Sequence, residues 1–210
     1  MHAFEIPPAL TETLASLNCW AVTTADVEKL AVGLLGGTPT ARVRRGTQRG
    51  IIANRKFGAA ADRLPQELER LAAQTAKVRL DGQPAADVRA TAFFFLRFED
   101  SIHPLHDGNG RVGRLLLALQ CSQAIGMPVA EILASLHELA DDYQMVFAAP
   151  TPALQYELMV HLLARILAAP VPDSLDLPFA LTPVFPERDT KPAANMRHAL
   201  PAPQRRSAFF

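Results

Sequence analysis

His103-Pro104-Leu105-His106-Asp107-Gly108-Asn109-Gly110-Arg111-Val112-Gly113-Arg114 lies between two strongly apolar stretches. Proline at 104 disfavours helical geometry at His103, so the first of these stretches ends near Ile102. Asp-Gly and Asn-Gly are turn formers, because glycine and asparagine accept positive φ. Such a turn can point several backbone N–H groups into one concavity. The helix that follows adds its N-terminal N–H groups and the positive end of its dipole. Arg111 and Arg114 stand three apart in its first turn and so share a face. Cations at a helix N-terminus are unfavourable unless an anion answers them, and two arginines suit a polyphosphate. Asp107 would oppose phosphate on its own, and a hard divalent cation such as Mg2+ between the two resolves the conflict. His103, at the edge, has an ordinary pKa suited to general-base work. The residues alone therefore imply a Mg2+-nucleotide site with a histidine base, transferring a phosphoryl or nucleotidyl group. Each has a plainer explanation when taken singly: a Gly-rich interhelical turn, a structural histidine, a solvated basic face. Their conjunction within twelve positions carries the inference.

Helical periodicity dominates outward from this loop. Helices are expected over Ala25 to Leu35, Leu64 to Thr75, Asp87 to Ile102, Arg111 to Ile125, Ala130 to Phe147, and Thr151 to about Ala168. The third is apolar on most sides (Val88, Thr91, Ala92, Phe93, Phe94, Phe95, Leu96, Phe98), which marks it as central to a core. Arg42 to Ala59 is different: basic, irregular, and punctuated by Gly46, Gly50 and Gly58. Strand-like residues beside turn formers at Gly50-Ile51-Ile52-Ala53-Asn54 read as a short β-hairpin or extended flap. The fold class is all-α, a helical bundle with a short β-hairpin flap. Residues 1–169 form one domain with its core over about 20–168. Residues 170–210 hold eight of the chain's 17 prolines and read as an irregular tail. Pro183-Val184-Phe185-Pro186 matches a minimal PxxP pattern of the kind that often arises by chance.

Bulk properties exclude several classes. Lys plus Arg equal Asp plus Glu at 21 each, which argues against a nucleic-acid binder that works by bulk attraction to phosphate. Cys19 and Cys121 lie far apart and outside any zinc spacing, so they are expected as buried free thiols. No run approaches the roughly 18 apolar residues of a membrane span. The first eight residues do not resemble a usual signal peptide. A soluble, cytoplasmic protein is expected, and specialised export would leave no mark in such a sequence.

The motif resembles the signature of the Fic family, His-Pro-Phe-x-Asp/Glu-Gly-Asn-Gly-Arg-x-x-Arg, at eleven of twelve positions. Leu105 stands where phenylalanine is usual, at a position expected to pack into the core. The resemblance extends to Phe98-Glu99-Asp100-Ser101-Ile102 before the motif, to Leu115-Leu116-Leu117 after it, and to the flap near Gly50. It covers about residues 20–168.

The resemblance implies transfer of AMP from ATP to a Ser, Thr or Tyr hydroxyl of a target protein. By it His103 is the general base and Asp107 holds Mg2+ against the α- and β-phosphates. Gly108, Asn109 and Gly110 line an anion hole, and Arg111 and Arg114 hold the β- and γ-phosphates. Gly50, Ile51 and Ile52 of the flap would pair with an extended target segment by strand addition. His106, at the variable position, is expected to face solvent. Many family members are inhibited by a helix bearing Ser/Thr-x-x-x-Glu-Gly/Asn, whose glutamate pairs with the second motif arginine. The only such string here is Thr24-Ala25-Asp26-Val27-Glu28, followed by Lys29, and an ordinary helix N-cap explains it better. A separate inhibitory partner is then the alternative form of control. Other donors (UMP, GMP, phosphate), a non-catalytic module of the same fold, and an unrelated helical interaction protein are the competing classes.

Overall fold

The computed structural model describes residues 6–46, 50–52, 55–79, 84–171 and 175. The fold is all-α. A one-turn 3-10 helix, Pro8–Leu10, leads into α1 (Thr11–Ser16) and α2 (Thr24–Leu35). A hairpin of β1 (Gly50–Ile52) and β2 (Arg55–Phe57) follows, then α3 (Leu64–Arg79), α4 (Pro84–Leu96) and a π-helical turn, Arg97–Ile102. The chain continues through α5 (Asn109–Ile125), α6 (Val129–Glu138), α7 (Ala140–Ala148) and α8 (Pro152–Ile166). The two strands pair antiparallel, Gly50 against Phe57 and Ile52 against Arg55.

The helix ends follow local chemistry. Thr23 caps α2: its hydroxyl accepts the Asp26 N–H while the Asp26 carboxylate accepts the Thr23 N–H, a reciprocal capping box. Gly36, left-handed at φ 65°, ends it. Thr151 caps α8, with Pro152 at the first helical position.

α4 is the hub and packs against α3, α5 and α8. Val88, Ala90, Thr91, Ala92, Phe93, Phe94, Phe95 and Leu96 are all buried, which explains why no polar face shows in its sequence. α5 sits beside it with Val112, Leu115, Leu116, Leu117 and Ala118 sealed from solvent.

Two expected helices differ. The run from Asp87 to Ile102 is not one helix but α4 followed by the π-helical turn, in which the His103 N–H bonds the Phe98 carbonyl at 2.9 Å. The widened turn accommodates one residue more than α-helical bonding would and re-aims the chain into the loop. The run from Ala130 to Phe147 breaks at Leu139 (φ −97°, ψ 29°) with neither glycine nor proline to signal it. Tertiary packing rewards the break, since α7 then sets Tyr143 and Phe147 against Phe95, with ring centroids 5.9 and 6.1 Å away. Smaller differences lie at the ends: α3 runs on to Arg79, and α5 begins at Asn109 rather than Arg111. The flap's Ala53 and Asn54 and the PxxP string fall outside the described residues. Cys19 and Cys121 are buried free thiols. Among the described residues no helix is long and apolar enough to cross a membrane.

Phe95 joins α4, α5 and α7, with its ring also against Gly113 of α5. Phe95→Ala should lower unfolding free energy by about 3–5 kcal/mol, measured by urea denaturation. A loss below about 1 kcal/mol would show that this cluster does not anchor α7.

Candidate active site

The loop between the π-helical turn and α5 is held by a segment far away in sequence. Residues 40–44 run antiparallel beside it. Val43 bridges Leu105, and Arg44 N–H donates to the Pro104 carbonyl at 2.9 Å. The His106 N–H donates to the Arg42 carbonyl and the Asp107 N–H to the Thr40 carbonyl, at 3.1 and 3.2 Å. The far end of the flap segment is fastened too, Ala59 N–H to the Ile102 carbonyl at 3.1 Å.

Arg44 ties both ends together. Its guanidinium is buried and donates from Nε to the His103 carbonyl at 2.8 Å, and from Nη2 to the Ala59 and Ile102 carbonyls at 2.8 and 2.9 Å. His103 stands in left-handed geometry, φ 47° and ψ 64°. Such backbone costs about 1–3 kcal/mol. Hydrogen bonds from a charged group contribute about 1.5–3 kcal/mol each, so the Arg44 clamp outweighs the strain. Sequence inspection saw Arg44 only as one cation in a basic stretch; nothing local distinguishes it from Arg42 and Arg45.

The His103 side chain is fixed at one nitrogen. Nδ1 lies 2.8 Å from the Glu99 carbonyl, which can only accept, so Nδ1 carries the proton. Nε2 is therefore the basic nitrogen. Burial pushes the imidazole down to about 4; the bond to Glu99 opposes this, and the Arg44 charge adds to it. The ring is neutral at physiological pH.

Asn109 spends its side chain on the loop. Oδ1 accepts the Leu105 N–H at 2.8 Å and Nδ2 donates to the Leu105 carbonyl at 2.9 Å. Its share of an anion hole thus comes through its main chain. Leu105 is fully buried, as a core position should be. Gly108 caps α5 at φ 87°, with no side-chain cap bond to the helix. Its left-handed backbone is what demands glycine, and a Cβ there would also meet the Leu35 methyl of α2 at 2.6 Å. Gly108 offers no side-chain cap to the first-turn N–H groups of α5, an arrangement that can attract an anion.

The charged residues divide into rim and interior. Asp107 is exposed, accepts the Gly108 N–H through Oδ1 at 2.7 Å, and pairs with Arg111 through Oδ2 at 3.2 Å. His106 is exposed. Arg114 does not match Arg111 as the shared face suggested: it is only 8% exposed, lies over the Tyr143 ring, and reaches the Tyr143 hydroxyl at 3.5 Å. Among the described residues no cluster of three or more His, Cys, Asp or Glu side chains could hold a metal. One exposed carboxylate beside an anion site suits Mg2+ completed by substrate phosphates and water.

The sequence missed Glu99 and Tyr143 as well, because both enter through contacts between helices. Glu28 lies seven residues from Leu35, two turns of α2 away from the residue that abuts Gly108. Thr24 belongs to the capped first turn, in line with the N-cap explanation of that string.

A family model described as Fic/DOC family matches residues 21–121, a span that starts where the resemblance does and ends within α5. No curated protein matches the chain, and no solved structure does.

The low His103 value has a directly measurable consequence. In histidine Cε1–H NMR titrations, assigned with His103→Ala, the His103 resonance should hold its neutral position from pH 8 down to about pH 5.5. A midpoint near the ordinary 6.5 would contradict the burial that sets its charge state.

Proposed function

We propose that the chain, whose residues 21–121 match the Fic/DOC family, is a Fic-type transferase that moves AMP from Mg-ATP onto a Ser, Thr or Tyr hydroxyl of a target protein. One observation carries this: a neutral histidine, its Nδ1 proton committed to a backbone carbonyl, beside a helix N-terminus with no side-chain cap and an inward arginine. A base without an anion site, or an anion site without a base, would not support nucleotidyl transfer.

The chemistry follows from the positions. His103 Nε2 removes the proton of the target hydroxyl as that oxygen attacks the α-phosphorus. The bond from the α-phosphorus to the bridging oxygen breaks, and pyrophosphate leaves opposite the attack. The N–H groups of α5 and the Arg111 and Arg114 guanidinium groups take up charge on the phosphates. Positioning and charge neutralisation supply most of the rate in such a transfer. Asp107 is the residue to hold Mg2+, which when bound neutralises phosphate charge; Arg111 would exchange Asp107 for phosphate on binding. The β1–β2 hairpin starts and ends near residues fastened to the loop, a support for the reading that Gly50, Ile51 and Ile52 register an extended target segment against His103. An inhibitory partner, if one controls this chain, would act at Arg114.

The test uses α-phosphate-labelled ATP, GTP, CTP and UTP with Mg2+, cell lysate and a His103→Ala control. Label from ATP should appear on protein and fall by at least about 100-fold in His103→Ala, while ATP binding stays within about twofold, as for a base that does not hold the nucleotide. Label from another nucleotide would change the donor. Label only from the γ-phosphate would replace AMP transfer by phosphate transfer. Undiminished transfer by His103→Ala would remove the base assignment.

A further inference from the structure

Glu99 has no part in the chemistry above, yet its carboxylate lies under the site. Ideal Cβ positions on Gly110 and Gly113 would fall 3.5 Å from its Oε1 and Oε2, so the carboxylate lies against the first turn of α5. The same Gly110 position is 3.2 Å from Arg114 Nη1. Oε2 is sealed from solvent with no hydrogen-bond partner. Glycine at 110 and 113 leaves the room that these two groups share.

We infer that Glu99 is a positioning residue of the phosphate site: its carboxylate, packed beneath the first turn of α5, sets how much of the Arg114 charge reaches an incoming phosphate. This rests on the phosphate-binding role proposed for Arg114. An ionised Glu99 and a bound phosphate would compete for one guanidinium and repel each other in a buried setting. A protonated Glu99 leaves the whole cationic charge to the phosphate. Binding of polyphosphate is then linked to proton uptake at Glu99.

The surroundings place this exchange near neutral pH. Burial pushes the Glu99 carboxyl up to about 7, against the lowering by Arg114 and with a further rise from Asp100. Arg114 faces it from α5, and Tyr143 of α7, pushed up to about 12 by burial, stays protonated throughout. His103 titrates well below this range. Arg97, one residue beyond α4, is paired with Glu67 of α3 at 3.6 Å. The ATP phosphates also take up protons, but equally with a protein that differs only at position 99.

The experiment is calorimetric titration of the full chain with ATP and Mg2+ at pH 6, 7 and 8, wild type against Glu99→Gln. Relative to the variant, the wild type should lose roughly fivefold in affinity between pH 6 and pH 8, as one pKa unit of coupling from about 7 requires. Parallel profiles, or weaker binding by Glu99→Gln at every pH, overturn the inference while leaving AMP transfer standing. Absence of ATP binding by either protein at any pH removes the nucleotide reading and this inference with it. If Glu99→Gln does not fold, Glu99→Met takes its place as the uncharged comparison: titration at pH 7.5 in two buffers of different ionisation enthalpy should show about half a proton more taken up per ATP by the wild type than by the variant, and an equal number overturns the proposal.

Discussion

Everything at this site hangs on one buried guanidinium. Arg44 bonds the carbonyls of Ile102, His103 and Ala59, and by doing so joins three parts of the chain that share no sequence neighbourhood. The π-helical turn delivers His103 to the right place, but in a backbone geometry that an L-residue avoids. The arginine makes that geometry the stable one. It also lends its charge to keeping the imidazole neutral. Backbone geometry and imidazole charge state are coupled here through a single side chain.

The second layer of support is aromatic. Phe95, Tyr143 and Phe147 form one cluster that joins α4 to α7, and its polar tip, the Tyr143 hydroxyl, meets Arg114. The core therefore runs without a boundary up to the Arg114 guanidinium. Tight aromatic packing gives Arg114 a fixed seat, and a long cationic side chain would otherwise lose much rotamer freedom on binding. Arg111, on the rim, is held only by its exposed pair with Asp107, an interaction of little weight in water. The two motif arginines thus differ in kind: one is preorganised, the other is free to rearrange.

The sequence disclosed what is local and hid what is not. The turn at Gly108 and the apolar girth of α4 are written in neighbouring residues, and each was legible. The motif residues were legible for the same reason, since a loop and a helix N-terminus place them by short-range geometry. Arg44, Glu99 and Tyr143 escaped because their roles come from partners tens of residues away. The break at Leu139 escaped because no breaker residue marks it, and packing of Tyr143 against Phe95 decides it. The π-helical turn escaped because its residues, Arg97–Ile102, hold neither glycine nor proline to mark a change of helical form. For Asn109 the sequence suggested a place in an anion hole and did not show that its amide is engaged with Leu105.

Gly58 gives the flap a particular standing in the molecule. It turns at φ 75° with its α-carbon against His103, where a Cβ would meet the His103 Cβ and the Ile102 carbonyl at 3.0 Å. With Arg44 fixed at one end and Gly58 at the other, the stretch between them is a cassette set in a rigid frame. The bonds described above that hold the histidine are made at the two ends of that stretch, by Arg44 on one side and Ala59 on the other. In the function proposed above, such a frame would separate the choice of whom the protein modifies from the means by which it does so.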